Sequence, residues 1–422
     1  MKTSTDVKPE TEKKTKNPKR HLKRLAVVLA VLIFLAGTGT LATVITLNQT
    51  MNLINTVPQA AYTNQLNPIL DEDGYYTFVT DRDFKILQLT DIHFGGGWIS
   101  SKKDKMTANC VAALVSAEQP DLVIATGDIA YPVPFQAGTF NNKNGAKLFA
   151  NLMESLGVYW TLAFGNHDTE AYSYFSRAQI SEFYTQNYEY CLFQSGPEDI
   201  NGYGNQFIKV KNTRGEITQI LSVLDSGSYT DGDIFGIRWE YDNVHDDQIE
   251  WFQSQMNAFR AENETVGAEM PKSMLFLHIP FEEYKFAWDE YKANGHQDTE
   301  NVKYYYGLAG ETDETVYNSK YENNLFETLQ ACGTQAVFCG HDHYNGFSVD
   351  YKGIRLTYGA SIDYLAYDLT DSISTKGSQR GCTIITVFPD GTAEIQQKNY
   401  YTAAYPTVTA LEKEEVTMQW DS

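Results

Sequence analysis

From Phe84 onward, short apolar runs stop abruptly at polar clusters, and stretches of helical period lie between them. FKILQLT (84–90) reads as a buried strand, and Ser101–Glu118 reads as a helix with Ser101 as its cap. DLVIAT (121–126), VYWTLAF (158–164), ITQILSVL (217–224), MLFLHI (274–279) and QAVFCG (335–340) repeat the strand pattern. Helical stretches cover 146–156, 246–261 and 323–331. Two hairpins close the regular part, FSVDYKGIRLTYG turning at Lys352-Gly353 and GCTIITVFPDGTAEIQQ turning at Asp390-Gly391. Strands alternating with helices and then a meander predict an α/β fold, a sandwich of mixed sheets flanked by helices. Residues 281–322 are long and rich in tyrosine without a clear period, which predicts a lid inserted over a site.

The N-terminal pattern is different. Leu25–Leu47 contains 23 residues without a charge. At about 1.5 Å per residue, such a helix crosses a hydrocarbon core of about 30 Å with some tilt. The basic stretch ahead of it is expected to stay cytoplasmic, placing everything after Leu47 outside the membrane. A cleaved signal peptide is the alternative, because Gly37–Ala42 supplies small residues after an apolar run. Apolar residues resume at Val44, Ile45 and Leu47, and no A-x-A site follows, which favours an uncleaved anchor. The expected organisation is a basic tail (1–24), a span (25–47), a spacer (48–83), a folded domain (84–403) and a C-terminal tail (404–422).

Composition narrows the function. Of 422 residues, 42% are hydrophobic and 13% aromatic, enough for a substantial core. Net charge is −21, yet residues 1–24 hold nine Lys/Arg against Asp6, Glu10 and Glu12, so the remainder carries −27. A body that acidic repels polyanions, so no nucleic-acid polymer is expected as a partner. The five cysteines show neither a disulfide framework nor a CxxC metal knuckle, and Cys110 and Cys339 read as small core residues.

The chemistry sits where the strands end. The first run stops at Asp91-Ile92-His93, the second at Gly127-Asp128 and the third at Gly165-Asn166-His167-Asp168. His278 ends MLFLH, and Gly340-His341-Asp342-His343 follows AVFC. Crevices beyond the carboxyl ends of strands are where α/β sheets build sites. Hard oxygen ligands mixed with imidazoles suit Mn, Fe or Zn better than Ca. D-x-H or Gly-Asp alone carries little information; the ordered set of five, each just after an apolar strand, is specific.

In this order, DIH, GD, GNHD, a lone His and GHDH resemble the calcineurin-like metallophosphoesterases over residues 84–398. LDSGSY (224–229), HIPFEEY (278–284) and GHDHYN (340–345) are similar to the branch of Dcr2-type phosphatases and purple-acid-phosphatase-related plant proteins. The resemblance implies an αββα sandwich and two divalent metal ions. It implies that Asp91, His93 and His343 hold one ion, that Asn166, His278 and His341 hold the other, and that Asp128 bridges them. It further implies that His167 is the catalytic acid, positioned by Asp168, and that the substrate is a phosphate ester. GDIAY fits the purple-acid-phosphatase element that would make Tyr131 an iron ligand, but His93 departs from that pattern and argues against it. Asp225 is open between a partner of the site and a turn residue. A (cyclic) nucleotide phosphodiesterase on the same metal core is the alternative, with the tyrosines of 284–306 stacking a base. A non-catalytic binding protein is a further alternative, although such relatives show eroded ligands.

Overall fold

The computed structural model describes residues 18–186, 188–230, 233, 238, 240–367 and 380–399. It divides into two units, with the division in the chain between Ala42 and Thr43. The proposed C-terminal tail and most of the basic tail lie outside the described residues.

Helix α1 (Pro18–Ile54) begins in the first unit and ends in the second. In the first unit its apolar side chains, Leu25 to Leu41, are exposed. In the second, Thr43, Thr50 and Ile54 are buried, and Leu47, Met51 and Leu53 pack against the core. The first residue packed against the domain, Thr43, thus lies inside the stretch expected to span the membrane. The reason is periodic: Leu47, Thr50, Met51 and Ile54 recur at i, i+3, i+4 and i+7, which turns one helical stripe toward the domain. The residues expected to form a spacer continue this helix and then add β1 (Ile69–Leu70) and β2 (Tyr76–Val79) to a sheet.

The described residues of the second unit form two sheets. The smaller contains β3 (Phe84–Leu89), β4 (Leu122–Thr126), β5 (Trp160–Ala163), β13 (Gly381–Val387) and β14 (Ala393–Asn399), in the order β14-β13-β3-β4-β5. The larger adds β6 (Gln206–Lys211), β7 (Ile217–Val223), β8 (Lys272–Phe276), β9 (Val302–Tyr306), β10 (Thr334–Cys339), β11 (Ser348–Tyr351) and β12 (Ile354–Tyr358), in the order β1-β2-β6-β7-β8-β10-β12-β11-β9. Phe84, Ile86, Ile124, Leu221, Phe276 and Phe338 fill the space between the sheets. Helices α2 (Ser101–Glu118) and α4 (Asn142–Leu156) cover the outer face of the smaller sheet. Helices α6 (Asp246–Thr265), α7 (Glu282–Ala293) and α8 (Leu325–Ala331) cover that of the larger. This is the layered α/β sandwich the patterning predicts. Two short helices, α3 (Pro134–Ala137) and α5 (Arg177–Tyr184), sit in loops after β4 and β5.

Register places the strand exits side by side. β3, β4 and β5 are parallel, with Leu89 opposite Ala125 and Thr126 opposite Ala163. β8 and β10 are also parallel, with Phe276 opposite Phe338. The segment expected to be a lid is instead largely body. α7 buries Tyr284, Ala287, Trp288 and Tyr291, a helical stripe, and β9 forms the edge of the larger sheet. Tyr304 stacks on Tyr291 at 5.1 Å, and Tyr305 lies under the Arg355 guanidinium at 4.0 Å. Tyr284 and Tyr291 are thus core residues of this layer, while Tyr305 stays on the surface.

Candidate metal centre

Backbone conformation marks the site before its side chains do. Asp91 (φ 49°), His93 (φ 52°), Asp128 (φ 52°) and His341 (φ 80°) all adopt the left-handed region. Each such non-glycine residue costs about 1–3 kcal/mol and persists only where surrounding structure enforces it. Gly127 (φ 83°) has no room for a side chain, since a Cβ there would stand 2.5 Å from His278 Nδ1.

The seven expected ligands are brought together, and all are buried. Atoms of Asp91, His93, Asp128 and His343 lie within 4.8 Å of one another. Asp128 Oδ2 is 3.3 Å from His93 Nε2 and 3.2 Å from His278 Nε2, between the two groups of ligands. Asn166 Oδ1 is 3.1 Å from His278 Nε2 and 3.0 Å from His341 Nδ1. Burial opposes charge on His93, but Asp363 and Asp128 outweigh it and push the imidazole up to about 10. Burial likewise opposes charge on His278, and Asp128 raises it to about 9. Burial would raise Asp128 too, yet the facing His278 and His167 hold it well below the usual carboxylate range. Surroundings that favour positive charge on buried imidazoles, with carboxylate and carboxamide oxygens interleaved, fit divalent cations.

His167 lies on a 3-10 turn after β5, with its ring edge against His93 at 5.5 Å and Tyr131 at 4.9 Å. Its backbone N–H donates to Asp128 Oδ1 at 2.8 Å. The expected partner of its ring is not the one found. Asp168 instead accepts the backbone N–H groups of Asp128, Ala130 and Gly165 at 3.0, 2.8 and 2.8 Å. Its carboxylate points back into the turn, tying two strand exits together, and burial with the neighbouring Asp128 charge raises it to about 6. The His167 ring is held by Glu170, whose Oε1 is 2.6 Å from Nδ1.

A further carboxylate went unnoticed in the sequence. Asp363 lies 3.3 Å from His93 Nδ1 and hydrogen-bonds His343 Nδ1 at 3.1 Å, behind two of the expected ligands. It is itself fixed by backbone N–H groups of Leu365, Ala366 and Tyr367 at 2.7–2.8 Å. Asp225 takes the role of a bracing residue. It pairs with Arg177, whose Nη2 donates to Gly165 O at 2.7 Å and so grips the loop bearing Asn166. Tyr131 stacks on His93 at 4.7 Å while its hydroxyl donates to Gln136 Oε1 at 3.0 Å, so that hydroxyl is engaged away from the ligand cluster. Tyr229 OH accepts from Asn166 Nδ2 at 3.0 Å, and the Tyr241 ring meets His341 edge-on at 4.2 Å.

The comparisons with known proteins give the family. The calcineurin-like phosphoesterase family model matches residues 84–345. "Probable inactive purple acid phosphatase 14" of Arabidopsis thaliana is 28% identical over 315 residues, covering 69% of this chain and 73% of that protein. "Phosphatase DCR2" of Saccharomyces cerevisiae is 29% identical over 283 residues, covering 63% of this chain and 44% of that one. Among solved structures, a dimetal phosphatase from Danio rerio aligns with a TM-score of 0.46 at 12% identity, covering 76% of this chain and 97% of that chain. With the family model spanning most of the folded domain and every strand exit carrying its expected donors, the chain belongs to the calcineurin-like phosphoesterase family.

Proposed function

We propose that this protein is a metal-dependent hydrolase of phosphate esters, tethered to a membrane by α1 with its domain on the outer side. The observation that supports it most is the intact donor set converging on Asp128, with His167 beside it and held by Glu170. Erosion of ligands is what a non-catalytic relative would show, and none of the seven positions is eroded. Asp91, His93 and His343 would hold one divalent ion and Asn166, His278 and His341 the other, with Asp128 shared. When bound, such a pair of Mn, Fe or Zn ions lowers the pKa of water and neutralises phosphate oxygens. His167 supplies the proton that the departing oxygen needs. With Nδ1 engaged by Glu170, Nε2 is the ring nitrogen that faces the substrate. Asp168 keeps the Asp128 and Asn166 loops in register through three backbone hydrogen bonds.

Tethering draws on the uncharged stretch from Leu25 to Ala42, about 27 Å of helix, with Lys23 and Arg24 at its head. A nucleotide diesterase is a second reading because a cavity of 200 Å³ is walled by Tyr241, whose ring meets His341. Tyr241 and Tyr321 line it together with Asn318 and Lys320, a slot suited to a planar leaving group. The test is hydrolysis of p-nitrophenyl phosphate and of its bis-ester by the full chain in detergent, with Mn, Fe or Zn added. Metal-dependent turnover, lost in Asp128→Asn, is expected. The ratio of the two rates separates monoesterase from diesterase. Absence of turnover in folded, metal-loaded protein would refute the hydrolase reading for simple esters.

A further inference from the structure

The end of the domain that bears the metal centre has a bare aromatic rim. Phe135 is 90% exposed, Tyr174 66%, Trp98 47%, Ile99 45% and Phe140 40%. The segments that carry them touch in two places, linked through residues 137–140. Ile99 N donates to Ala137 O at 3.2 Å, and a Cβ on Gly138 would meet Trp98 and Ile99 at 2.8 and 2.9 Å. Phe140 stacks with Tyr174 at 6.1 Å, and Tyr174 N donates to Phe140 O at 3.1 Å. The loops carrying Trp98 and Phe135 follow β3 and β4, the same strand ends that deliver Asp91, His93 and Asp128.

The domain part of α1 starts at this rim. Thr43 is buried, and its hydroxyl lies 3.5 Å from Gly138 O. The chain then runs the height of the smaller sheet to the other end, where Ala60 N donates to Leu156 O at 2.9 Å. The uncharged run ending at Ala42 is therefore joined to the domain beside Trp98, Ile99 and Gly138. Charge points the same way. In a body of net −27, the helix that begins directly after the Trp98 loop opens with Ser101-Lys102-Lys103, and both lysines are exposed. Aromatic rings beside lysines are what a lipid–water interface with anionic head groups selects.

We propose that Trp98, Ile99, Phe135, Phe140 and Tyr174 form a bilayer-docking surface, which rests the metal-centre end of the domain on the membrane that α1 enters. This rests on the tethered reading above. It makes the accessible substrates phosphate esters held at head-group depth. The experiment is photolabelling of the full chain in phosphatidylcholine–phosphatidylglycerol nanodiscs containing a diazirine lipid with a shallow probe, read by peptide mass spectrometry. Adducts are expected on the 25–42 stretch and also on peptides containing Trp98 and Phe135. Phe135→Asp, at a position whose ring touches little of the domain, should lose the rim adducts. It should keep those on 25–42 and leave hydrolysis of soluble p-nitrophenyl phosphate unchanged. Adducts on 25–42 with a clean rim would overturn docking while leaving the tether standing. Adducts on neither would overturn the tether and docking together, and rim adducts unaffected by Phe135→Asp would overturn the assignment of this surface.

Discussion

Around Asp91, His93 and His343 the bracing group is a carboxylate, whereas around Asn166, His278 and His341 it is a backbone carbonyl and tyrosine. Asp363 faces the outer nitrogens of both His93 and His343, while His278 Nδ1 donates to Thr126 O at 2.8 Å. Asn166 leans on Tyr229, and His341 on the Tyr241 ring. A carboxylate behind an imidazole makes it a stronger, better oriented donor than a carbonyl does. On the proposed assignment the first half also has the Asp91 carboxylate of its own, while the second has only that of the shared Asp128. The two halves should therefore differ in affinity, with a tight first ion and a more exchangeable second.

The largest effect should come from removing what the halves share. Asp128→Asn should abolish turnover and weaken both binding events in a Mn²⁺ calorimetric titration; loss of only one would break the assignment of Asp128 as common to both. Next, His167→Ala should lower kcat by about 10²–10⁴-fold with both binding events intact. Loss of metal in that variant would remove His167 from the role of acid. Glu170→Gln should follow it in kind at roughly 10- to 100-fold, while Asp168→Asn should instead lower thermal stability.

Smaller still, Asp363→Asn should weaken only the tighter event, by roughly 10- to 100-fold. An equal loss at both would erase the contrast between the halves. The least effect on the centre itself should come from Asp104, which supports the loop after His93 through Gly95 N and Gly96 N at 2.8 and 3.1 Å. Burial pushes its carboxyl up from 3.8 to about 7. An acid raised in the folded state favours folding below its unfolded pKa and loses that advantage as pH rises through the folded value. Stability should therefore fall between about pH 4 and about pH 7, at up to about 1.4 kcal/mol per unit. Denaturant titrations of Asp104→Asn should show a flatter profile across that window.

What the sequence disclosed follows one rule, that an apolar run ending at a polar cluster is a strand delivering a ligand. It located β3, β4, β5, β8 and β10 and all seven expected donors, because those strands are buried on both faces and read as continuous apolar runs. The same rule would have reached Asp363, which lies just past β12 in Ser361-Ile362-Asp363. An isolated bridge between Thr90 and Ser361 brings it to the ligands, and nothing local announces that bridge. Glu170 was missed for the opposite reason. Adjacency favoured Asp168, but a 3-10 turn puts the residue three along on the same side as His167. The stripe at Tyr284, Ala287, Trp288 and Tyr291 was legible as a helix, yet the abundance of tyrosine obscured its period.

Because one face of α1 from Thr43 to Ile54 packs into the domain, the tethered reading leaves a narrow window for release. A peptidase acting between Gly37 and Ala42 would free a domain that keeps Thr43, Leu47, Thr50 and Ile54 in place. A cut only two turns later would strip Thr43 and Leu47 from their packing and open an apolar furrow in the shed product. A stable soluble form, natural or engineered, should begin no later than Thr43.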